Sequence, residues 1–196
     1  MTRFFDVVFS CVGLVLLAPV FGIVSLLVHF SSPGGVFYVQ ERIGRFGVPF
    51  RLYKFRSMRT GSDKKGLLTV GGRDPRITGI GYFLRRYKLD ELPQLWNVLK
   101  GDMSLVGPRP EVEKYTRLYS DAQRRVLDLR PGITDPASIF YRNESEVLAR
   151  AADPEAAYVR EIMPHKIALS MPYVERPSLA AYFRCILLTV VMIFRN

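Results

Sequence analysis

The sequence predicts a mostly helical α+β fold, in which an N-terminal membrane segment and a short β-hairpin precede a series of short helices. Three observations support this prediction. The 22 residues from Val7 to Val28 carry no formal charge, two later segments are rich in β-branched and aromatic residues, and proline, glycine and capping residues divide the remainder into helices. A chain of 196 residues is long enough for one domain with its own core. We therefore expect residues 1–30 to enter a membrane and residues 31–196 to form a cytoplasmic domain continuous with them.

The N-terminal apolar segment is long enough to enter a bilayer, because a hydrocarbon core of about 30 Å needs about 20 apolar helical residues. It is too long for the apolar region of a signal peptide, and no small-residue cleavage site follows it, so we expect the chain to keep it. Pro19 lies in its middle and predicts a kink, since proline removes one helical hydrogen bond. The residues leave two alternatives open: a kinked helix that spans the bilayer, and a re-entrant hairpin with both ends in the cytoplasm.

The charge of the chain is strongly asymmetric. Its net charge is +10, from 28 Lys and Arg against 18 Asp and Glu, and the whole excess lies in residues 31–196. A basic surface suits lipid head groups, nucleotide phosphates or nucleic acid, and the positive-inside rule places it in the cytoplasm. The two cysteines, Cys11 and Cys185, have no metal-ligand neighbours, and we expect both to be reduced packing residues.

A β-hairpin is predicted from Val36 to Gln40 and from Phe50 to Phe55, joined by a link that contains Gly44 and Gly47. Six cations accompany a single acid, Glu41, in this region. They fit either a solvated basic face on anionic lipid or direct phosphate binding, and they are Arg42, Arg45, Arg51, Lys54, Arg56 and Arg59.

The helices that follow are predicted from their start and stop signals. After a polar loop over 60–74, we expect helices over 79–87, 93–100 and 111–129, with Gly101 just past the end of the second. We also expect a capping box formed by Asn143 and Glu146, and a further helix that begins at Asp153-Pro154. The C-terminal stretch 180–194 is apolar, but only ten uncharged residues separate Arg184 from Arg195. It is too short to span a bilayer and fits either an interfacial amphipathic helix or a buried core helix.

Asp90 and Glu91 stand side by side before Leu92-Pro93. Proline disfavours the helical region for the residue before it, so we expect irregular backbone here, in which both carboxylates can converge at a helix N-terminus. Two carboxylates there could hold Mg²⁺ together with substrate phosphates, and one could instead attack phosphorus. The ordinary alternative is a solvated helix cap.

The surroundings of this pair favour chemistry. Arg85 and Lys88 precede it, and the two prolines of Pro108-Arg109-Pro110 stiffen the backbone that presents a guanidinium for bidentate contact with phosphate. Arg130, before Pro131-Gly132, has a similar setting. Phosphoryl transfer needs cations and a positioned nucleophile, so we predict that the segment 85–109 forms an active site.

Several separate motifs resemble the bacterial sugar transferase family, also called the monotopic phosphoglycosyl transferases. They are KLDELPQLWNVLKGDMSLVGPRP (88–110), DPRITGIGYFLRR (74–86), LRPGIT (129–134) and YKFRSM (53–58), with the apolar segment and its mid-helix proline. The resemblance covers nearly the whole chain, and the length is similar to the minimal form without an additional multi-span region.

The resemblance implies a re-entrant helix-hairpin broken at Pro19 and a membrane-surface active site on the cytoplasmic face of a bacterial inner membrane. Asp90 matches the family's nucleophile, which attacks the β-phosphate of a UDP-sugar and expels UMP. Polyprenyl (undecaprenyl) phosphate then attacks the sugar-phosphoryl-aspartate. Glu91 matches the dyad partner, which helps to bind Mg²⁺ or positions the metal-bound pyrophosphate. The product would begin the membrane stage of polysaccharide, O-antigen or glycoprotein glycan assembly.

We expect substrate contacts from a set of basic residues. The resemblance assigns Arg85 and Arg109 to substrate phosphates, and the basic stretch of the hairpin adds Lys54 and Arg56. Arg130 is added for its setting before Pro131-Gly132, and Arg142 for its place in a run that could contact the nucleotide or the sugar. The expected partners are a UDP-sugar donor, a polyprenyl phosphate acceptor, membrane lipids and a downstream glycosyltransferase, and the sequence allows an oligomer. One departure from the family's pattern, at Asp135–Ile139, leaves the identity of the donor sugar open.

Two rival functions fit the sequence less well. A non-catalytic basic protein on anionic lipid would explain the charge, and loss of catalysis without loss of membrane binding on Asp90→Asn would argue against it. We expect no nucleic-acid partner, since no recognition motif occurs, and a nucleotide hydrolase lacks its GxxxxGK[ST] loop. The lone histidines, His29 and His165, are expected at the membrane edge and on the surface.

Overall fold

The computed structural model describes residues 2–72 and 74–194 and is mostly helical, as predicted. The helices are α1 (Thr2–Leu16), α2 (Ala18–Ser31), α3 (Gly79–Arg86), α4 (Gln94–Lys100), α5 (Glu113–Thr116), α6 (Asp121–Arg124), α7 (Pro136–Phe140), α8 (Glu144–Ala149), α9 (Pro154–Ala157), α10 (Met163–Glu175) and α11 (Leu179–Phe194). The strands are β1 (Phe37–Ile43), β2 (Pro49–Phe55), β3 (Ser104–Val106) and β4 (Gly132–Thr134).

The N-terminal segment is a bent pair of helices. α1 and α2 meet at an angle of 62° around Leu17, and Pro19 lies in the first turn of α2, where its missing N–H costs no helical hydrogen bond. Within the described residues no single helix has the length and apolarity needed to cross a bilayer, whereas the bent pair passes both criteria when taken together. Large apolar side chains on both helices are exposed, among them Phe4, Leu16 and Phe30.

The predicted β-hairpin is confirmed. β1 and β2 pair antiparallel in a register that sets Phe37 opposite Phe55 and Ile43 opposite Pro49. A 3-10 turn joins them, and Gly47 takes a left-handed φ of 77° at its end. Phe55 is buried against α2, which fastens the hairpin to the N-terminal helices.

A second, parallel pair of strands was not predicted. β3 and β4 are three residues each, and their backbones cross closely next to Gly107 and Gly132. Gly107 N donates to Thr134 O at 3.0 Å, and Gly132 N donates to Pro108 O at 3.0 Å. A Cβ on Gly132 would lie only 2.1 Å from Gly107 N, so this crossing requires glycine. It fixes where the stiff Pro108–Pro110 segment leaves the strand.

The prediction of one helix over 111–129 is wrong. The region contains α5, α6 and a 3-10 turn over Arg125–Asp128. Ser120 begins a new helix through a capping box, in which its hydroxyl accepts from Gln123 N and its own N–H donates to Gln123 Oε1. A residue that satisfies free N–H groups in this way starts a new helix, so the preceding helix ends before Ser120.

Two cap predictions had different outcomes. α8 begins after Asn143 as predicted, but Asn143 makes no side-chain capping bond, so the predicted capping box is absent there. Asp153 does cap α9, and its carboxylate accepts from the N–H groups of Glu155 and Ala156, both at 3.0 Å. Pro93 precedes α4 as its N-cap, and Gly101 ends it with a left-handed φ of 99°.

The C-terminal helix α11 is buried on one face and exposed on the other. Tyr182 and Cys185 on one face are buried, whereas Leu187, Leu188 and Val191 on the other are exposed. The structure therefore excludes the alternative of a wholly buried core helix. Of the two predicted packing cysteines, Cys185 is buried but Cys11 is exposed.

A buried carboxylate connects α11 to the start of the chain. Asp6 of α1 accepts hydrogen bonds from Tyr182 OH at 2.9 Å, Ser104 Oγ at 3.0 Å and Leu105 N at 2.9 Å. These bonds join α1, β3 and α11, so the two apolar helical segments form part of one packed unit with the strand next to the site.

Candidate active site

Asp90 and Glu91 lie in a 3-10 turn over Leu89–Glu91, between α3 and α4. Both are buried, with exposed fractions of 6% and 8%. The backbone is irregular here as predicted, but for a different reason. Lys88 takes a left-handed φ of 56°, whereas Leu92 is helical with φ −53° and ψ −37°. The turn therefore comes from Lys88 before the pair and not from a distortion imposed on Leu92 by Pro93.

Glu91 is held between two cations. It accepts a bidentate contact from Arg109, with Nη1 at 3.2 Å from Oε2 and Nη2 bonded to Oε1, and Lys54 Nζ lies 3.1 Å from Oε1. Burial alone would raise the pKa of Glu91, but Arg109 and Lys54 outweigh it and hold that pKa well below its usual range. Glu91 is consequently ionised, and its charge in turn raises the pKa of Arg109.

Lys54 loses its proton more readily than Arg109 does. Burial lowers the pKa of its ammonium group to about 8, although the charge of Glu91 opposes this shift. Of the six cations in the basic stretch of the hairpin, Lys54 is the one that contacts the pair of carboxylates, and most of the others face elsewhere.

Asp90 has the opposite environment. Its Oδ1 is buried and has no hydrogen-bond partner among the described residues. Burial raises the pKa of Asp90, and the neighbouring charge of Glu91 raises it further. A buried polar atom without a partner is costly, so this oxygen is suited to a group that arrives with the substrate.

The residues present fit Mg²⁺ shared with a substrate. The part of the chain that the structure describes contains no cluster of three or more His, Cys, Asp or Glu that could enclose a metal ion alone. Mg²⁺ at phosphate sites commonly takes one or two carboxylates and completes its shell with phosphate oxygens and water. The unpartnered Oδ1 of Asp90, next to the carboxylate of Glu91, is consistent with such a site.

The two carboxylates open onto a cavity of about 600 Å³, called here the polar cavity. The loop over 67–72 and helix α8 also line it, and Gly71 N donates to Ser145 O at 2.7 Å, which ties this loop to α8. The predicted substrate-binding residues that line this cavity are Lys54, Arg85, Arg109 and Arg142. Arg85 also donates to Thr69 Oγ1 at 3.0 Å, so it links the loop to α3.

Two predicted substrate-binding residues are not brought to the cavity. Arg56 is buried and its guanidinium donates to backbone carbonyls at the end of α2, including Ser32 O at 2.7 Å and Pro33 O. Arg130 Nε donates to Gly101 O at 2.9 Å, at the end of α4. Their positions do not support substrate contacts, because both guanidinium groups bind helix ends.

A second charged network lines the cavity and was missed in the sequence. Glu111 accepts from Tyr158 OH, and Lys166 forms salt bridges with Glu111 at 3.7 Å and Glu144 at 2.8 Å. Lys166 belongs to α10 and Tyr158 to the π turn before it, far from the motifs around Asp90. The feature of the sequence that could have indicated this network is Glu111, which directly follows Pro108-Arg109-Pro110.

Comparisons with known proteins show which family the chain belongs to. Over residues 1–196 the chain matches the model of the family described as bacterial sugar transferase. A Bacillus subtilis protein provisionally named an undecaprenyl-phosphate N-acetylgalactosaminyl 1-phosphate transferase is 46% identical over 119 residues, 61% of this chain and 66% of its own length. The UDP-glucose:undecaprenyl-phosphate glucose-1-phosphate transferase of Escherichia coli is 37% identical over 196 residues, 97% of this chain and 39% of its own length.

The name of a third relative contains the same sugar as that of the first, N-acetylgalactosamine. The UDP-N-acetylgalactosamine-undecaprenyl-phosphate N-acetylgalactosaminephosphotransferase of Aeromonas hydrophila is 38% identical over 143 residues, 71% of this chain and 34% of its own length. The chain thus spans less than two thirds of each of these three relatives. The family match, in contrast, extends over every residue of the chain. The chain therefore belongs to the bacterial sugar transferase family.

Proposed function

We propose that the protein transfers a sugar 1-phosphate from a UDP-sugar to undecaprenyl phosphate and releases UMP. The observation that carries this proposal is the unpartnered, buried Oδ1 of Asp90, beside a Glu91 that two cations keep ionised, in a cavity lined by arginines and lysines. The relatives named above support the same substrate classes, because their names pair undecaprenyl phosphate with UDP-glucose or N-acetylgalactosamine.

In the first step, a carboxylate oxygen of Asp90 attacks the β-phosphorus of the donor. A phosphorus–oxygen bond forms to Asp90, the bond from that phosphorus to the bridging oxygen breaks, and UMP leaves with that oxygen. In the second step, an oxygen of undecaprenyl phosphate attacks the same phosphorus, and the Asp90 carboxylate is released. A carboxylate nucleophile divides a difficult transfer into two easier ones.

The cations around Asp90 favour this chemistry. Burial and Glu91 raise the pKa of Asp90, whereas Lys54, Arg85 and Lys88 oppose this shift and favour the ionised form that attacks. Asp90 and Glu91 are the residues that would hold Mg²⁺, which when bound would neutralise charge on the donor's phosphate oxygens. Glu91 also holds Arg109 and Lys54 in place, so these cations are already oriented when the donor arrives.

The placement of apolar surface supports action at a membrane. The bent pair α1 and α2 and the outer face of α11 carry exposed large apolar side chains, as expected for surfaces that contact lipid. We propose that the pair is a re-entrant hairpin in the cytoplasmic leaflet of a bacterial inner membrane. A water-soluble donor and a lipid phosphate would then meet at the membrane surface.

Release of UMP from a panel of UDP-sugars tests this function. The full chain, purified in detergent with Mg²⁺, should turn over one donor only when undecaprenyl phosphate is present, and intact-protein mass spectrometry should find a phosphosugar adduct on Asp90 when the acceptor is omitted. Asp90→Asn should abolish both signals. Asp102→Asn is the matched control, because Asp102 pairs with Lys100 and does not line the cavity, and it should keep full activity.

Two outcomes would contradict the proposal. UMP release that persists in Asp90→Asn would exclude Asp90 as the nucleophile. No release from any donor by folded protein, together with binding to vesicles of anionic lipid, would favour a non-catalytic basic protein on the membrane surface.

A further inference from the structure

A second cavity, of about 250 Å³, adjoins the polar cavity and is called here the apolar cavity. The two cavities share one wall, which consists of Arg86, Lys88, Glu91, Arg109, Ser138 and Arg142. Asp90 lines the polar cavity but not the apolar one. A ligand in the apolar cavity therefore reaches the cations that surround the pair of carboxylates without occupying the polar cavity.

The rest of the apolar cavity is lined mainly by aliphatic side chains. Leu95 of α4, Ile133 of β4, Ile139 of α7, and Met192 and Ile193 of α11 contribute to it. A ligand that fits must carry an anionic group at one end and an aliphatic chain at the other. A nucleotide sugar does not meet this requirement, since its polar groups would lie unsatisfied against aliphatic walls.

Two cationic side chains of the shared wall have no salt-bridged anionic partner within the described part of the chain. The side chains of Lys88 and Arg142 make no hydrogen bond or salt bridge within the described part of the chain, whereas Arg109 is already paired with Glu91. Unpaired cations at the mouth of an apolar cavity are complementary to the terminal phosphate of a phosphorylated lipid.

Helix α11 lies between the apolar cavity and the exposed apolar surface. Thr189, Met192 and Ile193 face the cavity, and on the opposite face Leu187 is 63% exposed. Thr189 Oγ1 lies 2.6 Å from Thr134 Oγ1, and this hydrogen bond fastens α11 to β4 beside the cavity. The cavity is thus separated from the proposed lipid-facing surface by one helix, a thickness of about 10 Å.

We propose that the apolar cavity binds the phosphate-proximal isoprene units of the polyprenyl phosphate acceptor, with α11 as one wall. The acceptor phosphate then lies at the shared wall, beside Glu91 and Arg109, and attacks the phosphorus on Asp90 after UMP has left. This inference rests on the transferase activity proposed above, and it assigns to α11 a role in acceptor binding in addition to membrane contact.

Filling the apolar cavity tests the inference. Met192→Trp in the full chain should leave the UMP released per protein without acceptor unchanged, because that step uses the polar cavity, and it should raise the KM for undecaprenyl phosphate at least tenfold. Leu187→Trp places the same bulk on the exposed face of the same helix and should leave this KM unchanged. A KM for Met192→Trp within twofold of that of the original chain would overturn the inference.

Photo-crosslinking of the unaltered chain gives an answer that does not depend on a variant. A polyprenyl phosphate with a diazirine on its second isoprene unit should label peptides within 133–139 and 179–194, and excess undecaprenyl phosphate should prevent this labelling. Labels confined to 2–31, or equal labelling of the cavity by a diazirine phospholipid that undecaprenyl phosphate does not displace, would overturn the inference. Absence of UMP release from the unaltered chain would instead contradict the transferase activity, so the two failures are distinguishable.

Discussion

Asp90 and Glu91 are adjacent in the chain, yet their side chains meet opposite electrostatic surroundings. Glu91 contacts Arg109 and Lys54, which lower its pKa, whereas burial and the charge of Glu91 raise the pKa of Asp90. Paired carboxylates whose pKa values are moved apart by their environments usually have divided roles. Glu91 fits the role of a fixed anion that orients cations, and Asp90 fits the role of the reactive group.

The contact between Arg109 and Glu91 leads to a prediction about both stability and activity. Arg109→Met leaves the buried Glu91 with Lys54 as its remaining partner, and we expect the free energy of unfolding to fall by about 3 kcal/mol, the lower end for a broken buried pair. The rate of UMP release should fall by about 100-fold, as for loss of one preorganised donor to phosphate. Thermal unfolding in detergent and single-turnover kinetics measure the two effects.

Arg130→Met is the matched control for that experiment. Arg130 binds Gly101 O and does not line either cavity, so this substitution should change the rate of UMP release by less than twofold. Equal losses of activity in the two variants would show that Arg109 has no special role at the site.

Sequence reasoning predicted Asp90 and Glu91 as the reactive pair, and both line the polar cavity, but it could not separate the arginines around them. Arg109 and Arg130 both lie next to prolines, and Lys54 and Arg56 lie two residues apart in one basic stretch. What distinguishes them is tertiary: the partners of Arg56 and Arg130 are backbone carbonyls from α2 and α4. Backbone carbonyls occur at every position, so no residue pattern reveals which of them an arginine will meet.

At the scale of secondary-structure elements, Arg56 joins the hairpin to the N-terminal helices. The last carbonyls of a helix lack intrahelical donors and carry partial negative charge. Arg56, which follows β2, donates to Val28 O at 3.4 Å and Ser32 O at 2.7 Å at the end of α2. The proposed membrane hairpin is thereby fixed to the strand that carries Lys54.

Loss of this contact should affect stability and leave donor binding intact. In Arg56→Met we expect the free energy of unfolding to fall by about 1.5–3 kcal/mol, the usual range for a lost hydrogen bond to a charged group. The KM for the donor should change by less than twofold. Arg59→Met alters an exposed arginine nearby and should have no effect on unfolding. A tenfold rise in the KM for the donor in Arg56→Met would instead support the substrate contact that the sequence predicted for Arg56.

The close crossing at Gly107 and Gly132 predicts a second effect at this scale. A Cβ on Gly132 would lie 2.1 Å from Gly107 N and 2.5 Å from Gly107 O, both backbone atoms that cannot rotate away. Gly132→Ala should therefore separate β3 from β4, cost about 1–3 kcal/mol, and displace Arg109 from Glu91. We expect at least a tenfold loss of UMP release, measured on protein that still unfolds cooperatively.

Gly79→Ala provides the comparison for this substitution. A Cβ at Gly79, the first residue of α3, would meet nothing within 4 Å, so stability and activity should stay unchanged. Full activity of Gly132→Ala would mean that the strand crossing does not position Arg109.

The elements that the sequence failed to predict are those with the least local signal. β3 and β4 contain three residues each and form through contact between segments about 30 residues apart, which periodicity over a short window does not report. The helix expected over 111–129 was overestimated because its polar and apolar residues suit a helix, while the capping bonds of Ser120 favour a new start. The β-hairpin, with its strong β-forming segments and glycines, was predicted with nearly the right bounds.

At the scale of the whole molecule, apolar surface and charge are segregated. α1, α2 and the outer face of α11 expose large apolar side chains, and the cationic polar cavity lies among α3, α8 and the hairpin. The hydrogen bonds of Asp6 to Ser104 and Tyr182 hold α1 and α11 together beside β3. A single lipid-facing surface built from both ends of the chain would therefore keep a fixed relation to the site.

This arrangement predicts the topology of the N-terminal helices. If α1 and α2 form a re-entrant hairpin, residues 2 and 31 lie on the same side of the membrane as the catalytic domain, whereas a bent span places residue 2 on the opposite side. Thr2→Cys and Ser31→Cys, each introduced into a chain that carries Cys11→Ala and Cys185→Ala, distinguish these two cases. In inverted inner-membrane vesicles, a membrane-impermeant maleimide should label both positions, together with the exposed domain control Ala122→Cys. Protection of the cysteine at position 2 in inverted vesicles, with labelling in right-side-out spheroplasts, would identify a span and contradict the re-entrant hairpin.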